Sequence, residues 1–285
     1  LCDLCAFAVK NRVFQVQCPS RNGAAMPEAD FSALDAVGLN LHAVFALDQL
    51  PDALRNECDP ARNYSQLILI GNGGRAMWQA ILREGGRSAD PIDDFSVRAV
   101  RRWLAAQASG RSYEIVYPGE RLVGLQSLGE CAGWHFASPF MVGINERWGT
   151  WFAYRVAVLA NTDFEPTRPV PGESPCTACR PRPCVSACPG KAIEDSGFNL
   201  ADCVRYRLRP DSACQTTCMA RLACPVRAEH RYDDDQIRHA YAISLRFILT
   251  TAVGSETTLR QPPWRAAQGE RSLHLFGDST KIRSS

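Results

Sequence analysis

Eight of the thirteen cysteines in this 285-residue chain fall between Cys176 and Cys224. The first group is Cys176-Thr-Ala-Cys179-Arg-Pro-Arg-Pro-Cys184-Val-Ser-Ala-Cys188-Pro189, spaced C-x2-C-x4-C-x3-C-P. The second is Cys203, then Cys214-x3-Cys218-x5-Cys224-Pro225. Soft thiolates in such density suit soft metal centres, iron–sulfur clusters above all. Three further readings compete. Zinc usually shows two C-x2-C knuckles, whereas here there is one plus wider gaps. A disulfide framework belongs to shorter secreted chains behind a signal peptide, and Leu1-Cys2-Asp3-Leu4-Cys5 has no basic n-region and no long apolar stretch. Buried inert thiols are the default for the isolated Cys58 and Cys131. The expected compartment is the cytosol, where clustered cysteines point to metal.

The run C-x2-C-x2-C-x3-C-P wraps a cubane in two-cluster ferredoxins, and its last cysteine serves the other cluster. Here the second gap is longer by two residues. By the same crossing logic Cys176, Cys179, Cys184 and Cys224 form one [4Fe–4S] ligand set. Cys188, Cys203, Cys214 and Cys218 form the other. Pro189 and Pro225 redirect the chain after each crossing cysteine. A single cluster would take Cys176, Cys179, Cys184 and Cys188. The expected cofactors are therefore two [4Fe–4S] clusters, and the expected partner is an electron-donor protein: a flavodoxin, a ferredoxin or a reductase.

Four segments upstream read as strands: Leu41–Leu47, Gln66–Ile70, Tyr113–Tyr117 and Phe152–Leu159. Helices are expected over Ala76–Arg83, Glu120–Ala132 and Asp94–Gln107. The last would bury Phe95, Val97, Val100, Leu104 and Ala105. This alternation predicts an α/β domain over residues 26–163, after an N-terminal extension of 1–25. Phe164–Pro175 holds four prolines in twelve residues and reads as a linker. An iron–sulfur domain follows over 176–235, then a helix and a poorly ordered tail over 236–285, the tail starting at Thr250. Arg and Lys outnumber Asp and Glu nine to five between Cys176 and Arg231, which reads as a solvated face or as compensation for anionic clusters. The net charge of +2 carries no whole-chain signal for nucleic acid. No run of about 18 apolar residues suggests a membrane span. Gly71-Asn72-Gly73-Gly74 could cradle phosphate, but it lacks the dinucleotide and P-loop patterns and reads as a tight strand-to-helix turn. Cys2-x2-Cys5 is half a zinc site without a second pair.

The cysteine segment resembles the ferredoxin domain of epoxyqueuosine reductases and reductive dehalogenases. The shared residues are Cys176-Thr-Ala-Cys179, Cys188-Pro189-Gly190-Lys191-Ala192-Ile193, Cys203-Val-Arg-Tyr206 and Cys224-Pro225. In that family the lone cysteine is a cluster ligand, which supports Cys203. The likeness continues upstream through Ala132-Gly133-Trp134-His135 and Ile144–Phe152. Asp90-Pro91-Ile92-Asp93 and Gly149–Arg155 are similar to cobalamin-processing proteins of the CblC type. The resemblance implies an α+β, nitroreductase-like corrinoid domain beside a small two-cluster ferredoxin-like domain, and cobalamin as a further cofactor. Trp134, His135, Trp148 and Trp151 are the corrinoid-lining candidates, against an ordinary core role for the tryptophans and a structural one for the histidine. The function so implied is a corrinoid-linked oxidoreductase that passes electrons from clusters to a bound cofactor or small-molecule substrate. The alternative is a ferredoxin-type electron carrier with no corrinoid. The reductases use an Asp proton donor that would fall near Tyr117-Pro118. None stands there, Glu120 is not assigned that role, and the catalytic residue stays unknown.

Overall fold

The computed structural model describes residues 26–253, apart from 87, 181, 195 and 196. The expected extension, with Cys2, Cys5 and Cys18, and the expected tail after 253 lie outside the described residues. The first domain runs α1 (Ser32–Asp35), β1 (Leu41–Ala46), α2 (Asp52–Cys58), β2 (Gln66–Gly73), α3 (Ala76–Arg83), α4 (Pro91–Gln107), β3 (Tyr113–Tyr117), α5 (Leu125–Cys131), β4 (Phe136–Ala137), β5 (Gly143–Ile144) and β6 (Phe152–Ala160). The cysteine-rich part follows as α6 (Pro175–Ala178), α7 (Pro183–Ser186), β7 (Ile193–Glu194), β8 (Gly197–Phe198), α8 (Leu200–Arg207) and α9 (Met219–Leu222). A twenty-residue helix, α10 (Asp234–Val253), closes the described chain.

All four expected strands form, and they make one sheet in the order β1-β2-β6-β3. Every neighbouring pair is antiparallel. The alternation of strands and helices therefore comes without the parallel sheet it usually accompanies. Both faces are covered. Val44, Ile68, Ile70, Val156 and Val158 pack on one face against Leu34, Met77, Ile81 and Leu104 of the helices. Leu67, Leu69, Ala157 and Leu159 pack on the other, with Leu54, Leu128 and Trp134. Two-sided burial explains why β2 is buried at every position and reads as a continuous apolar run.

Helix α4 begins three residues before its expected start, with Pro91 in the first turn and the Asp90 side chain accepting from the Asp93 amide. Its buried face holds Phe95, Val100, Trp103 and Leu104, while Ala105 is exposed and Val97 half-buried. The bulkier Trp103 takes the place expected for Ala105, and its indole N–H donates to the Asp30 carbonyl at 2.7 Å. Helix α5 is shorter than expected, and α10 runs three residues past the expected start of the tail.

Residues 161–174 have no regular structure, yet they are not a free linker. Phe164 is buried, the Thr167 amide donates to the Val44 carbonyl at 2.9 Å, and the Val44 amide donates to Thr167 Oγ1 at 3.0 Å. The Val170 amide reaches the Ala132 carbonyl at 3.1 Å. The prolines keep this stretch extended, and it lies along β1 as an irregular edge.

Two cysteine-lined cavities as a candidate redox site

The cysteine-rich part has little sheet and only short helices, so local signals set its loops. Ser174 caps α6 by accepting from the Cys176 amide, and Pro175 and Pro183 occupy first-turn positions of α6 and α7. Asn199 caps α8 by accepting from the Asp202 amide at 3.2 Å. Helix α7 lies against α9. Between them the small Ala220, with Phe140, Ile193 and Cys184, makes a local core that Val142 and Phe198 extend.

Around this seam the eight cysteines separate into two foursomes. Cys176, Cys179, Cys184 and Cys224 line one cavity, with Phe140, Ile144 and Arg182 in its wall. Cys188, Cys203, Cys214 and Cys218 line the second, with Phe140, Tyr206, Arg207 and Tyr241. The two segments thus exchange partners. Cys184 and Cys188, four residues apart on α7 and its end, face different cavities, as do Cys218 and Cys224 on either side of α9. These are the foursomes that the crossing-cysteine spacing leads one to expect, and they differ from the single-cluster set of Cys176 to Cys188.

All ten cysteines among the described residues are free thiols. Burial pushes Cys176, Cys184, Cys214 and Cys224 above the usual thiol range and Cys203 up to about 11. Repulsion between thiols adds to the burial effect, and its sources stay within one foursome: Cys218, Cys188 and Cys214 act on Cys203, and Cys224, Cys176 and Cys179 act on Cys184. Four such thiols cannot ionise together without a cationic centre between them. Among the described residues no three His, Cys, Asp or Glu side chains converge on the point a single metal ion would occupy. Four soft thiols lining each cavity suit one thiolate per iron of a cluster. The second cavity encloses about 150 Å³ and the first about 10 Å³, so the first fits a cluster by its donor set and the second by donor set and room.

The four corrinoid candidates divide between two core clusters: Trp148 packs against the one that holds Trp134, and Trp151 belongs to another. Trp134 is buried in the core on the α5 side of the sheet. His135 is 7% exposed, its Nδ1 lies 2.9 Å from the Tyr154 hydroxyl, and burial holds its pKa below the usual histidine range. Trp148 lies over the glycine turn, where a Cβ on Gly73 would come within 2.2 Å of its ring. Trp151 is fully buried and packs edge-on against Tyr232 at 5.4 Å. Among the described residues the indole N–H groups of Trp148 and Trp151 have no hydrogen-bond partner, nor does the buried Thr150 hydroxyl. These orphaned donors could meet a polar ligand. The glycine turn is also occupied: the Gly73 amide donates to Asn40 Oδ1 at 2.7 Å and the Gly74 amide to the Trp151 carbonyl at 2.8 Å. It reads as a packed turn and not as a phosphate cradle. Glu120 is exposed. Near Tyr117 stands Asp93, whose carboxyl burial pushes up, with Asp90 adding to it.

Several residues escaped the sequence reading. Arg221 lies between Cys218 and Cys224 and donates to the Thr150 carbonyl at 2.5 Å. Its guanidinium stacks 4.4 Å from the Trp151 ring, tying the cysteine module to the start of β6. Arg227 donates to the Glu146 carbonyl at 2.5 Å and Arg75 to the Glu229 carbonyl at 2.6 Å. Arg207 lines the second cavity. The one sequence signal for Arg221 and Arg207 was a position about one turn from a cysteine.

No family model matches the chain, and no curated protein matches it. Solved structures with a similar chain path include epoxyqueuosine reductases and reductive dehalogenases. A selenomethionine-labelled epoxyqueuosine reductase is 13% identical, with a TM-score of 0.47 over 71% of this chain and 66% of that one. An epoxyqueuosine reductase bound to a tRNA-Tyr epoxyqueuosine-modified stem loop is 13% identical, with a TM-score of 0.49 over 73% of this chain and 67% of that one. A reductive dehalogenase, whose structure suggests a mechanism for B12-dependent dehalogenation, is 13% identical with a TM-score of 0.45, over 82% of this chain and 37% of that one. The chain spans about two thirds of the first of these and about a third of the last. At this identity none of them assigns an activity. Among the described residues no helix is long and apolar enough to cross a membrane.

Proposed function

We propose that this protein is an iron–sulfur redox protein that holds two [4Fe–4S] clusters. Cys176, Cys179, Cys184 and Cys224 would hold one, and Cys188, Cys203, Cys214 and Cys218 the other. The observation that carries this reading is the grouping of eight cysteines around two cavities, four to each. Clusters of this type, when bound, accept and release single electrons. The chain's own part is to supply thiolates, exclude water with Phe140 and Ile193, and keep the two sites adjacent through the α7–α9 seam. Anaerobically purified or reconstituted protein should contain about eight iron and about eight acid-labile sulfide per chain. About four of each would mean one cluster, and zinc in their place would sink the reading.

The narrower reading is a corrinoid-linked reductase, with the sheet domain next to the clusters as the site of a bound corrinoid and a small-molecule substrate. It rests on the sequence resemblance, and the unpartnered polar atoms at Trp148, Thr150 and Trp151 favour a ligand between sheet and clusters. The rival is an electron carrier, fed by a flavodoxin, a ferredoxin or a reductase, that binds no corrinoid. Mixing the protein with cobalamin separates them. Corrin absorption bands that do not shift, with no complex surviving gel filtration, leave the carrier.

A further inference from the structure

Arg207 is 7% exposed, which is rare for an arginine. It is the last residue of α8 and stands one turn after Cys203, so both point from the same helix face into the second cavity. Its guanidinium is held from three directions. Nε donates to the Cys214 carbonyl at 3.0 Å, Nη1 to the Ser244 hydroxyl at 2.9 Å, and Nη2 to the carbonyls of Gln215 at 3.3 Å and Tyr241 at 3.1 Å. The Tyr241 ring lies 5.5 Å from the guanidinium carbon.

Every one of these acceptors is neutral. Among the described residues Arg207 makes no ion pair with Asp or Glu, although Arg75, Arg98, Arg111, Arg121, Arg205 and Arg227 each do. Those six reach solvent, and Arg207 does not. Burying a guanidinium without a counter-charge is costly, because four neutral hydrogen bonds replace its hydration only in part. Among the described residues, the place for a compensating negative charge is the cavity that Arg207 itself lines with four cysteines.

We propose that Arg207 is a positioning residue that acts electrostatically and raises the reduction potential of the cluster in the second cavity. This rests on the reading that four thiolates there hold a [4Fe–4S] cluster. Each reduction adds one negative charge to that site. A fixed positive charge in a low-dielectric wall stabilises the more negative state. The same residue clamps the 214–215 turn and α10 around the cavity, so its charge is held at one place rather than averaged over solvent.

The test compares Arg207→Gln and Arg207→Lys with the wild type, each reconstituted anaerobically. The readouts are iron per chain and a potentiometric titration followed by electron paramagnetic resonance. In Arg207→Gln one of the two midpoints should fall by about 60 mV or more, a tenfold loss in the reduced-to-oxidised ratio for a one-electron couple. The other midpoint should stay. Arg207→Lys should keep that ratio within about a factor of two of the wild type, because it keeps the charge. Unchanged midpoints in Arg207→Gln, an equal fall in both variants, or loss of about four irons in both would each overturn the tuning role. The last outcome would make Arg207 purely structural. A wild type that binds no second cluster would instead refute the underlying reading, and iron content reports that separately.

Discussion

The sheet domain and the cysteine module solve the same problem in opposite ways. The sheet domain buries β2 at all eight positions and fills both of its faces with side chains. The module's own apolar core is small, Cys184, Ile193 and Ala220 with Phe140 from the sheet domain, and two strands' worth of pairing and several one-turn helices surround two cysteine-lined cavities. A core of the first kind stabilises itself through apolar area removed from water. One of the second kind depends on what fills the hollows, because a short loop-rich segment cannot offset its ordering entropy otherwise.

The comparison breaks most visibly when iron is removed. Chelation under oxidising conditions should open the module while the sheet survives. Amide exchange should become fast over residues 176–230 and stay slow over 66–73. Uniform protection throughout would mean the module folds without metal. The next largest effect separates the two cavities. Cys184→Ser and Cys224→Ser should perturb one and the same cluster signal, with loss of about four irons at most. Cys188→Ser and Cys203→Ser should perturb the other. A shared phenotype for Cys184 and Cys188 would point to the single-cluster set.

Within the sheet domain, Ile68→Ala should cost about 2–5 kcal/mol in a denaturant titration and leave iron content unchanged, since Ile68 is fully buried on the face away from α5. A matching loss of iron would show that the two regions are not energetically separate. Gly129→Ala is expected to cost less, about 1–3 kcal/mol. A Cβ there would stand 1.9 Å from the Tyr154 hydroxyl, forcing apart the Tyr154–His135 pair. Its readout is a perturbed His135 ring signal by NMR.

The smallest effect is acid sensitivity. Burial lowers the pKa of His42 and of His135 below 6.5. The unfolded chain therefore binds more protons than the folded one between the folded values and about 6.5. The stability these histidines permit is complete above about pH 6.5 and is lost as pH falls through the lowered folded values. Exchange protection of residues 41–46 should decline from about pH 6.5 downward. A profile that instead falls on raising the pH would contradict the assignment.

How far the sequence could be read differs between the two regions for the same physical reason. Strands such as Gln66–Gly73 announce themselves because local composition and two-sided burial coincide. The antiparallel order does not, because pairing is a long-range choice. Trp103 replaced Ala105 on the buried face of α4 because an indole that reaches a backbone carbonyl can be buried cheaply. The proline stretch read as a linker because proline forbids regular structure, yet its remaining amides found partners on β1 and at Ala132. The resemblance puts Trp134, His135, Trp148 and Trp151 forward together, but Trp134 and Trp151 belong to different clusters of the core.

By itself, the sequence determined the donor atoms: eight thiols, spaced so that each motif reaches round one site and sends one cysteine across to the other. That is chemistry and chain reach, both local. Only the tertiary structure decided which far residues complete each foursome, bringing Cys224 back to Cys176 and Cys203 across to Cys188. It also decided that Arg207, one among nine basic residues in the module, is buried against the second cavity without a carboxylate partner. A charge becomes functional through its desolvation and its neighbours, and these exist only once α8 and α10 have closed around it.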